Sequence, residues 1–127
     1  MATKSFDKYR GTVQTTDGSP TVLTGTTVTL PNSTSVLVMA KVIAIRTDVI
    51  GDKRGFFATI VVFRESAGVA TTSGTQVNHF ADGAAGAATW TVVITTSSND
   101  VNITVRGETA KTIQWHGEIS FEPLFTP

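Results

Sequence analysis

The chain has 127 residues, no cysteine, and ten basic residues balanced by ten acidic ones. That length suits one domain able to bury roughly two thirds of its unfolded surface. The lack of cysteine excludes disulfides and thiolate metal sites, and a formal charge of zero argues against holding nucleic acid through its phosphates, which needs a basic excess. No apolar run follows a basic start, so no secretory signal is expected. Apolar stretches such as residues 43–45 and 60–63 are far too short to cross a bilayer, so the sequence reads as a soluble protein with no membrane partner.

Thr is the commonest residue and Val the next, both β-branched and suited to pleated, half-buried positions. Residues 1–8 read as a flexible N-terminal arm. Residues 9–15 alternate as a first strand, closed by the turn sequence Thr16-Asp17-Gly18-Ser19-Pro20. Residues 21–30 form a second extended stretch broken at Gly25, and Pro31-Asn32-Ser33 turns the chain. Residues 35–47 make a long strand, 51–54 a turn, and 55–65 the next strand, ended by Ser66-Ala67-Gly68. Residues 69–80 are extended with a break at Ser73-Gly74, and the Gly/Ala-rich 82–88 reads as a loop. Residues 89–96, 101–106 and 112–121 are the last strands, joined by hairpin-like connections. Residues 123–127 form an apolar C-terminal tail fenced by Pro123 and Pro127, which should not extend a central strand. Seven or eight such strands with no helix predict a single all-β domain over residues 9–122, an antiparallel β-sandwich of jelly-roll or immunoglobulin-like form.

Alternation then predicts the core. In residues 112–121 one parity carries Ile113, Trp115, Gly117, Ile119 and Phe121, and the other carries His116 and Glu118. Trp115 should therefore point inward and His116 and Glu118 to water. Trp90, Val92 and Ile94 share one face, as do Val101, Ile103 and Val105. The middle strands are apolar on both parities. Residues 35–47 place Val36, Val38, Ala40, Val42 and Ala44 against Leu37, Met39, Ile43 and Ile45, with Lys41 among the latter. Residues 55–65 set Phe57, Val61 and Phe63 against Phe56, Ala58, Ile60 and Val62. A sandwich sheet has only one core face. A second apolar face, read as Leu37, Met39, Ile43, Ile45, Ile60 and Val62, is expected to be a subunit or lattice interface. Phe6, Leu124 and Phe125 at the two ends are expected to order against a neighbour.

Chemistry is sparse. His79 and His116 sit in no zinc-type spacing, and His79 with Asp82 reads as an exposed loop pair. The Ser and Thr residues carry no nucleophile elbow. Glu65, Glu118 and Glu122 have no reason in the sequence to meet, and Gly83 and Gly86 open no phosphate-cradling loop because no helix follows. Asn32-Ser33-Thr34 and Asn102-Ile103-Thr104 match a glycan-acceptor pattern that is common by chance. Tyr9, Trp90 and Trp115 could stack on a sugar, but both tryptophans lie on apolar parities, which favours core packing. Arg46, Arg54, Arg64 and Arg106 are expected to snorkel or to pair with acids at subunit contacts. Neither catalytic residues, nor a cofactor, nor a metal is expected.

Several segments, taken in order, carry a resemblance. They are residues 15–21, Thr-Thr-Asp-Gly-Ser-Pro-Thr; residues 36–44, Val-Leu-Val-Met-Ala-Lys-Val-Ile-Ala; Gly55-Phe56-Phe57-Ala58 leading to Val62-Phe63-Arg64; Trp90-Thr91-Val92-Val93; residues 102–107, Asn-Ile-Thr-Val-Arg-Gly; and Lys111-Thr112-Ile113-Gln114-Trp115. This order resembles small β-sandwich modules in the virions of tailed bacteriophages, which stand alone or end tail-fibre chains. The resemblance implies a non-enzymatic virion protein, usually a homotrimer, with no catalytic residues to transfer. The first expectation is a capsid decoration or cement protein, assembled in the host cytoplasm, that holds the major capsid protein or other virion proteins. A start at its own Met and the lack of a coiled coil, collagen-like repeat or shaft favour it. The alternative is a receptor- or carbohydrate-binding module of a tail fibre, with a host surface glycan as partner. The exposure of Trp90 and Trp115 separates the two.

Overall fold

The β-branched runs and the turns between them divide the chain into strands that pair only antiparallel. A computed structural model describes residues 7–125; the side chains of Asp7, Pro123, Leu124 and Phe125 lie outside that description, as does Phe6 altogether. In chain order the strands are β1 (Asp7–Thr15), β2 (Thr21–Val22), β3 (Val28–Thr29), β4 (Thr34–Arg46), β5 (Lys53–Arg64), β6 (Thr71–Gly83), β7 (Thr91–Ser97), β8 (Asp100–Arg106) and β9 (Ile113–Phe125). One 3-10 turn, Ala85–Ala87, stands before β7, and there is no α-helix among the described residues. A five-stranded sheet runs β1-β9-β4-β5-β6. A smaller sheet gathers β2, β3 and β7 around β8. The two sheets pack face to face as an antiparallel sandwich.

Register decides what each face buries. β4 and β9 pair Ala44 with Trp115, Val42 with Gly117, Ala40 with Ile119 and Val38 with Phe121. β4 and β5 pair Val42 with Phe56, Ala40 with Ala58, Val38 with Ile60 and Val36 with Val62. Directly opposed residues share a face, and all of these but the partly exposed Gly117 are buried. The smaller sheet answers with Leu23, Leu30, Val92, Ile94, Val101, Ile103 and Val105. Gly11 and Gly117 stand opposite each other on the inner face; Gly117 leaves the space that Leu23 fills, and Gly11 lets the Thr24 backbone approach. A Cβ on Gly117 would lie 2.4 Å from Leu23 Cδ2.

Both tryptophans are core residues, with ring centroids 6.1 Å apart. Phe56 stacks on Trp115 at 6.1 Å. The Trp115 indole N–H donates to Thr15 Oγ1 at 2.9 Å, and the Trp90 N–H to Glu108 Oε1 at 3.2 Å, so neither polar atom is stranded.

Four sequence expectations are corrected. Ile60 and Val62 are 7% and 0% exposed and belong to the core, because β5 meets β4 in a register that places them opposite Val38 and Val36. The other β5 parity, Phe57, Val61 and Phe63, faces outward with Leu37 and Met39. Asp7 and Lys8 are not arm but the start of β1. The presumed tail continues β9, with Pro123 opposite Val36 and Phe125 opposite Ser35 across a register shift. A proline is tolerated where a bulge interrupts the ladder. Lastly, β6 runs on to Gly83 and takes in part of the expected 82–88 loop.

Candidate interaction surface

The outer face of the five-stranded sheet carries the apolar residues that the core does not use. Along β4 these are Leu37, Met39, Ile43 and Ile45, interrupted by Lys41. Leu37 and Met39 are partly covered, whereas Ile43 is 57% exposed and Ile45 also stands in solvent. β5 adds Phe57, Thr59, Val61 and Phe63 directly beside them. β9 and β1, on the other flank, supply polar groups: Gln114, His116, Glu118 and Glu122, then Lys8, Arg10, Thr12 and Gln14. The sheet surface is thus polar at the β1 edge and mainly apolar along β4 and β5, while β6 adds Val77 and Phe80 among the polar Thr71, Ser73 and Asp82.

One row crosses all five strands. Arg10 faces Glu118 with an ion pair of 3.4 Å, Glu118 faces Lys41, Lys41 faces Phe57, and Phe57 faces Phe80. The Lys41 ammonium lies 5.7 Å from the Phe57 ring centroid, within cation–π range. The Arg10 side chain is largely solvent-exposed, so its pair with Glu118 orients more than it stabilises. Beside this row runs an open groove of about 590 Å³, floored by Ile43, Gly55, Phe57 and Phe80 and rimmed by Arg10, Lys41, His116 and Glu118.

Two backbone devices build the groove. The β5–β6 register shifts between Phe57 and Ala58, so that β6 inserts an extra residue at His79. Such a bulge turns neighbouring side chains to one face. The His79 ring lies tilted against Phe57, centroids 5.0 Å apart, and meets Thr59 Oγ1 through Nε2 at 2.8 Å, while Phe80 reaches across β5. The second device is Gly55, over which the Phe80 ring lies; a Cβ there would come 3.0 Å from Phe80 Cε2. Strict alternation would have put His79 and Phe80 on opposite faces, so the sequence pattern missed this cluster. The signal was the glycine that breaks an otherwise apolar strand.

The other sequence candidates fall elsewhere. His116 and Glu118 share the groove rim, with Arg10 rather than a second carboxylate beside them. Asp82 Oδ1 accepts the Gly83 N–H at 2.8 Å, so His79 and Asp82 each have other partners. Glu118 and Glu122 lie four residues apart on one strand, about 13 Å along it, and Glu65 follows the far end of β5. Among the described residues no cluster of three or more His, Asp or Glu could hold a metal ion. Asn102 is buried, hydrogen-bonded to the hydroxyls of Thr95 and Thr104, and Asn32 Oδ1 accepts the Ala67 N–H. Three of the four arginines expected at subunit contacts serve their own chain. Arg46 pairs with Asp48 and Asp52, Arg54 donates to the carbonyls of Ala81 and Ala87, and Arg64 donates to those of Leu30 and Gly68.

At the end of the sandwich where β4 turns into β5, charged side chains knit three loops. The Arg46 guanidinium grips Asp48 through Nε at 2.7 Å and Nη2 at 3.2 Å, and reaches Asp52 at 3.3 Å. Lys111 links Asp52 and Glu108, each at 3.1 Å, and donates to the Gly86 carbonyl at 2.7 Å. The hydrogen bond from Arg46 holds the Asp48 carboxyl down at about 2. Lys111 first and then Arg46 lower Asp52, and Lys111 first and then Trp90 lower Glu108. Partial desolvation pulls Lys111 down, but Asp52 and Glu108 outweigh it and its pKa is raised. Beyond this braced base the turn presents Val49 and Ile50; Ile50 is 100% exposed.

Fold and surface together define an all-β sandwich with an apolar, aromatic outer face set apart from its core. No protein family matches the chain, and no curated protein does. A solved structure does: the crystal structure of the Acinetobacter baumannii phage AM24 tailspike protein matches over 96% of this chain with a TM-score of 0.52 at 10% sequence identity. At that identity the likeness is one of fold. The match spans 27% of the tailspike chain, so this chain corresponds in fold to about a quarter of that protein.

Proposed function

We propose that the chain is a non-catalytic module of a bacteriophage virion, seated at the tail, which works by contact through the outer face of its five-stranded sheet. The observation that carries the reading is the fold likeness to a phage tailspike over nearly the whole of this chain. It agrees with the resemblance read from the turn and strand motifs. The apolar outer face supplies the contact surface, since a patch of this kind on an isolated domain marks an interaction site. Capsid decoration, the first expectation from the sequence, has no support in the comparison, which favours the tail. Stacking of a host glycan on the tryptophans loses its basis, because Trp90 and Trp115 are buried. The partners that fit the surface are other virion proteins or further copies of the chain, with a homotrimer as the expected assembly.

The test is gold labelling of purified particles with an antibody against the chain. Label at the tail supports the proposal. Label distributed over the head returns the decoration reading, and unlabelled particles overturn the virion assignment.

A further inference from the structure

Between β6 and β7 the two sheets are tied by a side chain. β6 is the last strand of the larger sheet, β7 is an outer strand of the smaller one, and Gln76 of β6 reaches the β7 backbone. Its Nε2 donates to the Val92 carbonyl at 3.1 Å, and its Oε1 accepts the Ile94 N–H at 2.8 Å. Nε2 also donates to Asn78 Oδ1 at 2.8 Å, which fixes the orientation of the amide. A residue of an added strand would offer β7 the same pair of groups, one N–H and one C=O. We propose that Gln76 is a latch: it ties β6 down over the free edge of β7 and so keeps a strand of a second copy from adding there. The inference is independent of the contact-face reading.

Three observations carry it. The first is that the backbone is shaped to aim Gln76. The β5–β6 register shifts between the pairs Thr59–Val77 and Val61–Ser73, so that Gly74, Thr75 and Gln76 stand opposite Ile60 alone. Gly74 has a φ of +76°, the left-handed region that favours glycine. The bulge breaks alternation and turns Gln76, half-buried between the exposed Thr75 and Val77, toward β7. The second is that β6 has little else to hold it. Its residues are exposed or half-buried throughout, and its ladder to β5 is interrupted twice. An added strand reaches β7 only where β6 lifts away, and one side chain opposes that. The third is that the other sheet margins are closed by similar means. The Thr12 N–H of the outer strand β1 donates to the Thr24 carbonyl at 3.0 Å, and the Ala70 N–H donates to the Ser98 carbonyl just beyond β7 at 2.9 Å. On β6, Arg54 Nη2 donates to the Ala81 carbonyl at 2.9 Å and the Gly83 N–H to Asp82 Oδ1 at 2.8 Å. An unpaired strand edge is a template for another chain, and bulges and inward polar side chains are how such edges are closed.

Amide hydrogen exchange and sedimentation of Gln76→Ala test the latch together. The Ile94 amide should exchange at least about tenfold faster than in the wild type. The Leu23 amide, which donates to the Ile103 carbonyl at 2.8 Å on the far side of the smaller sheet, should be unchanged. At equal concentration the variant should sediment as a larger species than the wild type. Adding Val93→Lys, a charge at an exposed position of β7, should return it to the wild-type size. Asn78→Ala frees the Gln76 amide without removing it and should move both readings the same way by less; if Gln76→Ala does not fold, Asn78→Ala decides by the same two criteria. Unchanged exchange at Ile94 overturns the latch. Faster exchange at Ile94 with no larger species at high concentration overturns the guarding role and leaves Gln76 a tie between the sheets.

Discussion

The two faces of β4 are both largely apolar and have opposite fates. Val36, Val38, Ala40, Val42 and Ala44 lie sealed against the smaller sheet, whereas Leu37, Met39, Ile43 and Ile45 look outward across the row that joins Arg10 to Phe80. Hydrophobicity alone does not assign them. Size does so in part, because the inner parity carries small residues that let Trp115 and Phe56 lie close against the strand, while the outer parity carries long ones. Register completes the assignment. The inner set meets Phe56, Ala58, Ile60 and Val62 on β5, and the outer set meets Phe57, Thr59 and Val61. The inner face holds the fold together, and the outer face is the one proposed to meet a neighbour.

The sharpest way to break this comparison is at the centre of the inner face. Trp115→Ala should cost about 3–5 kcal/mol, since the indole is wholly buried against Trp90 and Phe56. Urea unfolding measures this, and a wild-type midpoint would remove Trp115 from the core. A paired test sharpens the assignment of β5. Ile60→Ala should cost about 2–5 kcal/mol, whereas Ile43→Ala on the opposite face should stay within about 0.5 kcal/mol. Equal losses would contradict the pairing of Ile60 with Val38 on the inner face. Smaller again is the polar contact under the inner face. Thr15→Val removes the acceptor of the buried Trp115 N–H at almost constant shape and should cost about 1–3 kcal/mol in the same assay.

A further expectation concerns the charged end, outside both faces. Asp48, Asp52 and Glu108 have lowered pKa values, so their contribution to stability is present above the ordinary carboxylate range. It is lost as pH falls below that range, down to about 2 in the case of Asp48, as they take up protons. Thermal melts across that window should show the loss, and Asp48→Asn should flatten it. An acid limb identical in the variant would show that the Arg46 clamp does not couple to folding.

Much of the fold is legible in the sequence, because one-sided strands declare their faces. Trp90 and Trp115 on apolar parities, and His116 and Glu118 on the polar one, lie where alternation puts them. The two-sided strands are legible only as two-sided. Nothing local in residues 55–65 says which parity meets Val38, so the sequence alone puts Ile60 and Val62 on the wrong face. The groove is hidden for a different reason. It depends on an extra residue at His79 that breaks alternation, and on Phe80 lying over Gly55, a contact between strands whose register the sequence does not state. Pro123 misleads in the same way, since a bulge admits it to a strand that a proline would otherwise end.

The most direct test of the division between a folding face and a contact face uses one protein in two assays. The double variant Ile43→Asp/Phe80→Asp changes only exposed side chains on the outer face. It should stay folded and lose far less than the about 3–5 kcal/mol of Trp115→Ala, and it should no longer enter particles assembled in its presence. A variant that melts normally and is incorporated as well as wild type would contradict the account.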